Sequence, residues 1–324
     1  MIKISQNSLQ LLLAVWYFIG SFLFSSYSFA QKQIKADSVT IMRQETQRQF
    51  NLDPQQPLTD RVRVTSPETL QMFREAGMSP REHELTTDER SQLKQVLAAL
   101  PPLHQKVLKE HLRSINFLDN MPNTALTTTL NSSSFPVFDI TVRAAIFHQT
   151  ASEWMTEKER TCFKAEGSSL EVSCDIGSLS ALLYVLLHET THMVDGTLHL
   201  AQTSGFSKGI WSDRTRITAE YSPALFDSTR YRGGKPLPIR QAPSLYQSLS
   251  TTPFVSLYST SSWNEDLAEY LSVYHFTQKL KQPFRIILRD NGKEVLVYEP
   301  LKSKLVRSRL KEMKQFYQVP AQQG

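Results

Sequence analysis

Apolar positions along this chain follow two periods, and the switch between them outlines its elements. In "TTDERSQLKQVLAAL", Leu93, Val96, Leu97 and Leu100 recur at three- and four-residue spacing, which predicts one buried helix face. Thr86 and Glu89 precede them as a capping box. "SPETLQMFREAG" predicts a shorter helix, with Ser66 as N-cap, Pro67 in the first turn and Gly77 closing it. Pro101 and Pro102 break the longer helix, and "LHQKVLKEHLRSI" resumes one. From Phe135 the period becomes two. "FPVFDITVRAAIF" predicts a strand, with a sheet edge that an extended peptide can join, and "SLEVSCDIG" predicts another. Ser178 then caps "LSALLYVLLHETTHMVD", which Gly196 stops. Apolar residues nearly ring that segment, so it reads as a buried central helix.

The C-terminal third is mixed. Residues 200–255 are rich in Ser, Thr, Pro and Gly and read mostly as loop. "SSWNEDLAEYLSVYHFTQKL" returns to helical spacing through Leu267, Leu271 and Tyr274, with Asn264 near its start. "FRIILRDNGKEVLVYEP" is a hairpin pattern, two apolar arms around Asn291–Gly292. Lys302 to Phe316 reads as a basic amphipathic helix. The predicted organisation is a segment 1–30, a mostly helical region 31–130, and a domain 131–324 ending in the hairpin and helix.

The first thirty residues differ from the rest. Lys3 is their only charge, and Leu11 to Phe24 is an apolar block of about fourteen residues, short for a membrane span but suited to a signal sequence. Ser28 and Ala30 fit the small-x-small cleavage rule, which predicts a cut after Ala30 and a periplasmic or secreted protein. If the segment is not cut, it is the chain's one expected membrane contact. The 324 residues carry a net charge of +5. Lys and Arg are scattered and not interleaved with aromatics, so no nucleic-acid partner is expected. Cys162 and Cys174 flank "FKAEGSSLEVS", a turn with short strand arms. In an oxidising compartment they are either a disulfide across a hairpin or two buried thiols. Their spacing does not suit a metal cluster.

The chemistry concentrates in "YVLLHETTHMVDG". On a helix His188 and His192 share a face one turn apart, which suits two imidazoles on one Zn²⁺. Glu189 points about 100° away, where it reaches solvent as a general base rather than the ion. A catalytic zinc needs a third protein ligand and an open position. Asp195 is on the same face but at the helix end, and suits a supporting contact better. His199 is one residue beyond the metzincin spacing. Glu265 and Glu269, four apart on a separate helix, can divide the work. Glu265 then takes the ion, and Glu269 accepts the N–H of a zinc-bound histidine.

H-E-x-x-H followed by N-E-x-x-x-E on a later helix resembles the gluzincin metallopeptidases, the thermolysin clan. "SLYSTSSWNEDLAEY" also resembles the lethal-factor-like group. The likeness spans roughly residues 135 to 281. It implies a zincin-like metallopeptidase domain with a mixed sheet and an active-site helix, and with the helical N-terminal region read from spacing the expected fold class is α+β. It also implies His188, His192 and Glu265 as zinc ligands, Glu189 as base and Glu269 as support. Tyr258, seven residues before Glu265, takes the place of a catalytic tyrosine; the other reading is an ordinary core or rim tyrosine. Tyr221, Tyr270 and His275 are rival donors. The expected function is an exported zinc peptidase acting on a peptide or protein substrate. The alternatives are a zinc-stabilised envelope binding or regulatory protein without turnover, and a zinc amidase acting on cell-wall peptides.

Overall fold

A computed structural model describes residues 38–131 and 133–318. The signal-like segment and its cut after Ala30 lie outside the described residues. The chain forms two compact units, Met1–Leu52 and Asp53–Gly324. In the first, residues 38–49 form helix α1. Among the described residues no helix is long and apolar enough to cross a membrane.

The second unit opens with the caps that the sequence announces. Ser66 accepts the Thr69 N–H at the start of α2 (Pro67–Glu75). After the short strand β1 (Arg81–Glu82), Thr86 and Glu89 cap each other's backbone at α3 (Thr87–Ala99). Helix α4 (Pro102–His111) follows the double proline. It does not continue through Ile115 as its spacing suggests, because the chain turns at Leu112 into β2 (Leu112–Asp119). The buried Arg61 guanidinium holds that corner, donating to the carbonyls of Leu108, Lys109 and Leu112. The Lys109 and Leu112 carbonyls are among the acceptors that a helix end leaves unsatisfied, whereas Leu108 also accepts the Leu112 N–H.

Strands β2, β3 (Ala125–Thr129) and β4 (Phe138–Arg143) build a mixed sheet in the order β1-β2-β4-β3. β4 runs parallel to β2 and antiparallel to β3. The boundary expected at residue 130 therefore falls within one sheet, and the region before it holds strands as well as helices. β4, expected to offer the free edge, is interior; β3 is the edge. The architecture is mixed α/β, compatible with an α+β class.

Helix α5 (Ala151–Arg160) carries its own capping box at Thr150 and Glu153. β5 (Phe163–Lys164) and β6 (Leu170–Asp175) follow. They do not form a hairpin with each other, because β6 joins a different sheet. Cys162 and Cys174 are accordingly two buried free thiols, not a disulfide.

Helix α6 (Ala181–Leu198) is the centre of the unit, packed on α3, α4, α5 and β3. Its N-cap is Ser180, not Ser178, and it runs through Gly196 to Leu198. Gly196 serves proximity instead of termination. A Cβ there would stand 3.1 Å from the Phe138 ring, so the missing side chain lets α6 lie close to β4. The helix ends at His199, in the left-handed region at φ 54°. Its threonine hydroxyls find acceptors one turn back in the same helix. Thr190 and Thr191 donate back to the carbonyls of Leu186 and Leu187, and Thr191 Oγ1 lies 3.0 Å from His104 Nε2 on α4.

The segment read as mostly loop contains α7 (Leu200–Thr203), β7 (Leu237–Pro238), α8 (Ala242–Ser250) and several 3-10 turns. β7 pairs in parallel with β5. Helix α9 (Trp263–Tyr274) is capped by Ser262, packs on α6 and continues as a π-turn, His275–Lys279. β8 (Arg285–Asp290) and β9 (Lys293–Tyr298) form the expected hairpin, with Asn291 and Gly292 both at positive φ, and β6 adds to it. The C-terminal segment is not one helix. It divides into α10 (Lys304–Arg307) and a 3-10 stretch, Leu310–Phe316. Between them the buried Arg309 pairs with Asp266.

Candidate metal centre

α6 and α9 cross so that three donor atoms converge. His188 Nε2 lies 2.9 Å from Glu265 Oε2 and 3.1 Å from His192 Nε2, and His192 Nε2 lies 3.3 Å from the same Glu265 oxygen. Ligands about 2.0–2.2 Å from a tetrahedral ion stand about 3.3–3.5 Å apart, so this triangle fits one ion with little adjustment. The donor chemistry fits as well, since two imidazoles and a carboxylate suit a borderline divalent metal. His188, His192 and Glu265 thus form a triad able to hold a metal ion.

The register of α9 is what aims Glu265 at α6. Its neighbour Asp266 faces the opposite way, fully buried against Arg309 and the Trp211 indole N–H. Burial raises the Asp266 pKa, and Arg309 opposes that shift. On the near side Asn264 donates to Asp195 Oδ2, and Asp195 Oδ1 accepts the Ala201 N–H at 2.7 Å. Asp195 is therefore a clamp between the end of α6 and the start of α9. Exposed His199, the helix cap, stays outside the triad.

Glu269 lies one turn behind Glu265 and is fully buried. Its Oε1 is 3.2 Å from His188 Nδ1, an approach short of a well-aligned hydrogen bond, and 3.2 Å from Lys158 Nζ. Ser256 donates to its Oε2 at 2.7 Å, and the Tyr184 hydroxyl is 3.4 Å away. Burial alone would raise the Glu269 pKa. Lys158, then His188 and Ser256, outweigh it and bring the group down to about 2. His188 shows the mirror image: burial lowers its pKa, but Glu265 and Glu269 raise it to about 9. Glu265 is held well below the usual carboxylate range by the two histidines, against its burial.

Tyr258 sits in a 3-10 turn, Tyr258–Thr260, with its ring stacked on His188 at 5.7 Å between centroids. Lys158 Nζ lies 3.9 Å from the centre of that ring, within cation–π range. Burial first, then the charges of Glu265 and Glu269, push the Tyr258 hydroxyl well above the ordinary phenol range, so it remains a donor at neutral pH. The rival donors are occupied elsewhere. Tyr270 donates to the Val306 carbonyl, His275 Nδ1 meets the Tyr317 hydroxyl at 2.7 Å, and Tyr221 is not among the residues lining the cavity.

Glu189 and the triad open onto a cavity of about 900 Å³, whose floor includes β3. Thr127, midway along β3, donates to Glu189 Oε2 at 2.6 Å and orients the carboxylate. Sequence reasoning missed Thr127, Lys158, Ser256 and Tyr184. Ser256 is the first residue of the stretch recognised around Tyr258. Tyr184 lies one turn before His188 on α6, and nothing in the local pattern marks Thr127 or Lys158, which reach the site through tertiary packing.

No family model, curated protein or solved structure matches this chain.

Proposed function

We propose that this chain is a zinc-dependent metallopeptidase with a zincin-like, gluzincin-type centre, acting on peptide substrates after export. The observation that carries the reading is the convergence of His188, His192 and Glu265, with Glu189 beside them at the floor of an open cavity. His188, His192 and Glu265 would hold a zinc ion, which would supply Lewis acidity at the cavity.

The chain's own groups divide the remaining work. Glu189, with one oxygen held by Thr127, uses the other to take a proton from the attacking water and return it to the leaving amine. The Tyr258 hydroxyl donates to the developing oxyanion. Glu269 faces His188 Nδ1 and favours the tautomer that leaves the Nε2 lone pair toward the triad. The outer edge of β3 offers backbone groups to an extended peptide, which brings the scissile bond alongside Glu189.

The test compares purified wild type with Glu189→Gln on a peptide library, with zinc measured in both. The reading predicts about one zinc per chain in each and turnover at least about a hundredfold lower in the variant. Equal behaviour of the two proteins refutes it and favours a zinc-stabilised binding protein. Cleavage confined to cell-wall peptides redirects it to an amidase.

A further inference from the structure

The charges lining the cavity are unevenly partnered. Outside the triad its walls carry Arg143, Lys158, Arg214 and Arg230 against Glu157 and Glu189. Lys158 is neutralised by Glu269. Glu189 is held by Thr127, and Glu157 accepts from Gln149 at 2.8 Å. Arg230 is exposed, with only a 3.4 Å contact to the Thr161 carbonyl, and Arg214 is exposed. Arg143 differs from these two because it is half-buried. Its Nε has lost its solvent, finds no hydrogen-bond partner, and no carboxylate among the described residues pairs with its guanidinium.

A guanidinium taken partly out of water without a partner costs free energy, and the protein has not filled the gap with one of its own acids. Arg61, Arg232 and Arg309 also leave Nε unpaired, but their terminal nitrogens are bonded. The group that best satisfies the terminal nitrogens of Arg143 is a carboxylate, which can bridge both with parallel hydrogen bonds. Its position is also informative. The Arg143 N–H donates to the Thr124 carbonyl, at the start of the edge strand. Thr127, the partner of Glu189, is three residues further on, about 10 Å at strand rise. Arg143 thus stands along the edge strand from the proposed point of attack, at the spacing of a substrate residue two to three positions from the scissile bond.

Building on the peptidase reading, we propose that the cleft selects a peptide bearing a carboxylate, seated on Arg143. Two sources share this chemistry: an Asp or Glu side chain, and the free C-terminal carboxyl of a short peptide.

The experiment uses the full chain, zinc-loaded and carrying Glu189→Gln so that substrate binds without turnover. Fluorescein-labelled decapeptides with a single Glu moved through each position are compared with their Gln counterparts, in C-terminally amidated and free-acid forms, by anisotropy. One Glu position is expected to bind about tenfold to a hundredfold tighter than Gln. Adding Arg143→Gln is expected to bring that ratio to within about twofold. Arg143→Lys keeps the charge without the fork and should retain part of the preference; melting and zinc content confirm that each variant is folded. A preference seen only in free-acid peptides assigns the terminal carboxyl and equally supports the inference. No carboxylate preference, a preference that persists without Arg143, or no binding by any peptide overturns it. Cleavage by the wild type without such a preference defeats this inference alone. Carboxylate-dependent binding without any cleavage by the wild type supports Arg143 and defeats the peptidase reading.

Discussion

Glu269→Gln separates the electrostatic support of the site from its metal ligands. The substitution preserves shape and leaves an acceptor for Ser256, but removes the charge that Lys158 and His188 surround. In the folded protein Glu269 titrates at about 2, against 4.5 for a free glutamate. At roughly 1.4 kcal/mol per pH unit, that depression corresponds to about 3 kcal/mol of stability. Removing one partner of a buried ion pair costs about 3–5 kcal/mol, the same order. The sign follows from the direction of the shift. A lowered carboxylate pKa stabilises the fold fully above about pH 4.5, and the contribution fades as pH falls toward 2. Urea unfolding of metal-free protein should therefore show the variant about 3 kcal/mol weaker at pH 7. At pH 3 the gap should shrink to about 1 kcal/mol. Zinc affinity, measured by chelator competition, should fall about tenfold to a hundredfold, because the contact that orients His188 is weakened. A gap below about 0.5 kcal/mol at pH 7, or one that widens on acidification, would refute the pairing argument. Unchanged zinc affinity would refute the orienting role.

Two further outcomes follow from neighbouring groups. Tyr258→Phe should lower kcat about tenfold to a thousandfold with KM and zinc content nearly unchanged, as steady-state kinetics can show; an equal loss in zinc content would make the tyrosine structural instead. Glu159 is fully buried, and burial raises it to about 7 despite the hydrogen bond from Tyr246. A raised carboxyl pKa destabilises the fold as pH climbs from about 4.5 to 7, so Glu159→Gln should stabilise by up to about 3 kcal/mol at pH 8 and by almost nothing at pH 4, as denaturant melts at the two pH values would reveal.

What the sequence made legible was what local chemistry decides. The caps at Ser66 and Thr86, the Asn291–Gly292 turn and the one-turn spacing of His188 and His192 all depend on residues a few positions apart. Glu265 and Glu269 could be placed because α9 repeats the same periodicity. The readings that failed depend on distant partners. "LHQKVLKEHLRSI" has helical spacing throughout, yet Arg61, more than forty residues away, caps it at the corner and frees β2 to pair with β4. β3, with its run of threonines, carries little apolar signal because it is an edge with half-buried residues. Of the two readings of Cys162 and Cys174, the bridge presumed a hairpin; β5 and β6 instead found partners in β7 and β8, and the buried-thiol reading holds. Lys158 could not be seen at all, since no spacing rule links α5 to residue 269.

Asp195 divides its two oxygens between the residue that begins the excursion out of α6 and the helix that completes it. Departure and return are therefore fastened to a single carboxylate, whatever the intervening chain does. Arg214 and Arg230, on that excursion, face the cavity, while the triad belongs wholly to the two helices. These two arginines and the donor triangle thus sit on separable stretches of this polypeptide, so that part of the cavity wall can be redressed by substitution without rebuilding the triangle.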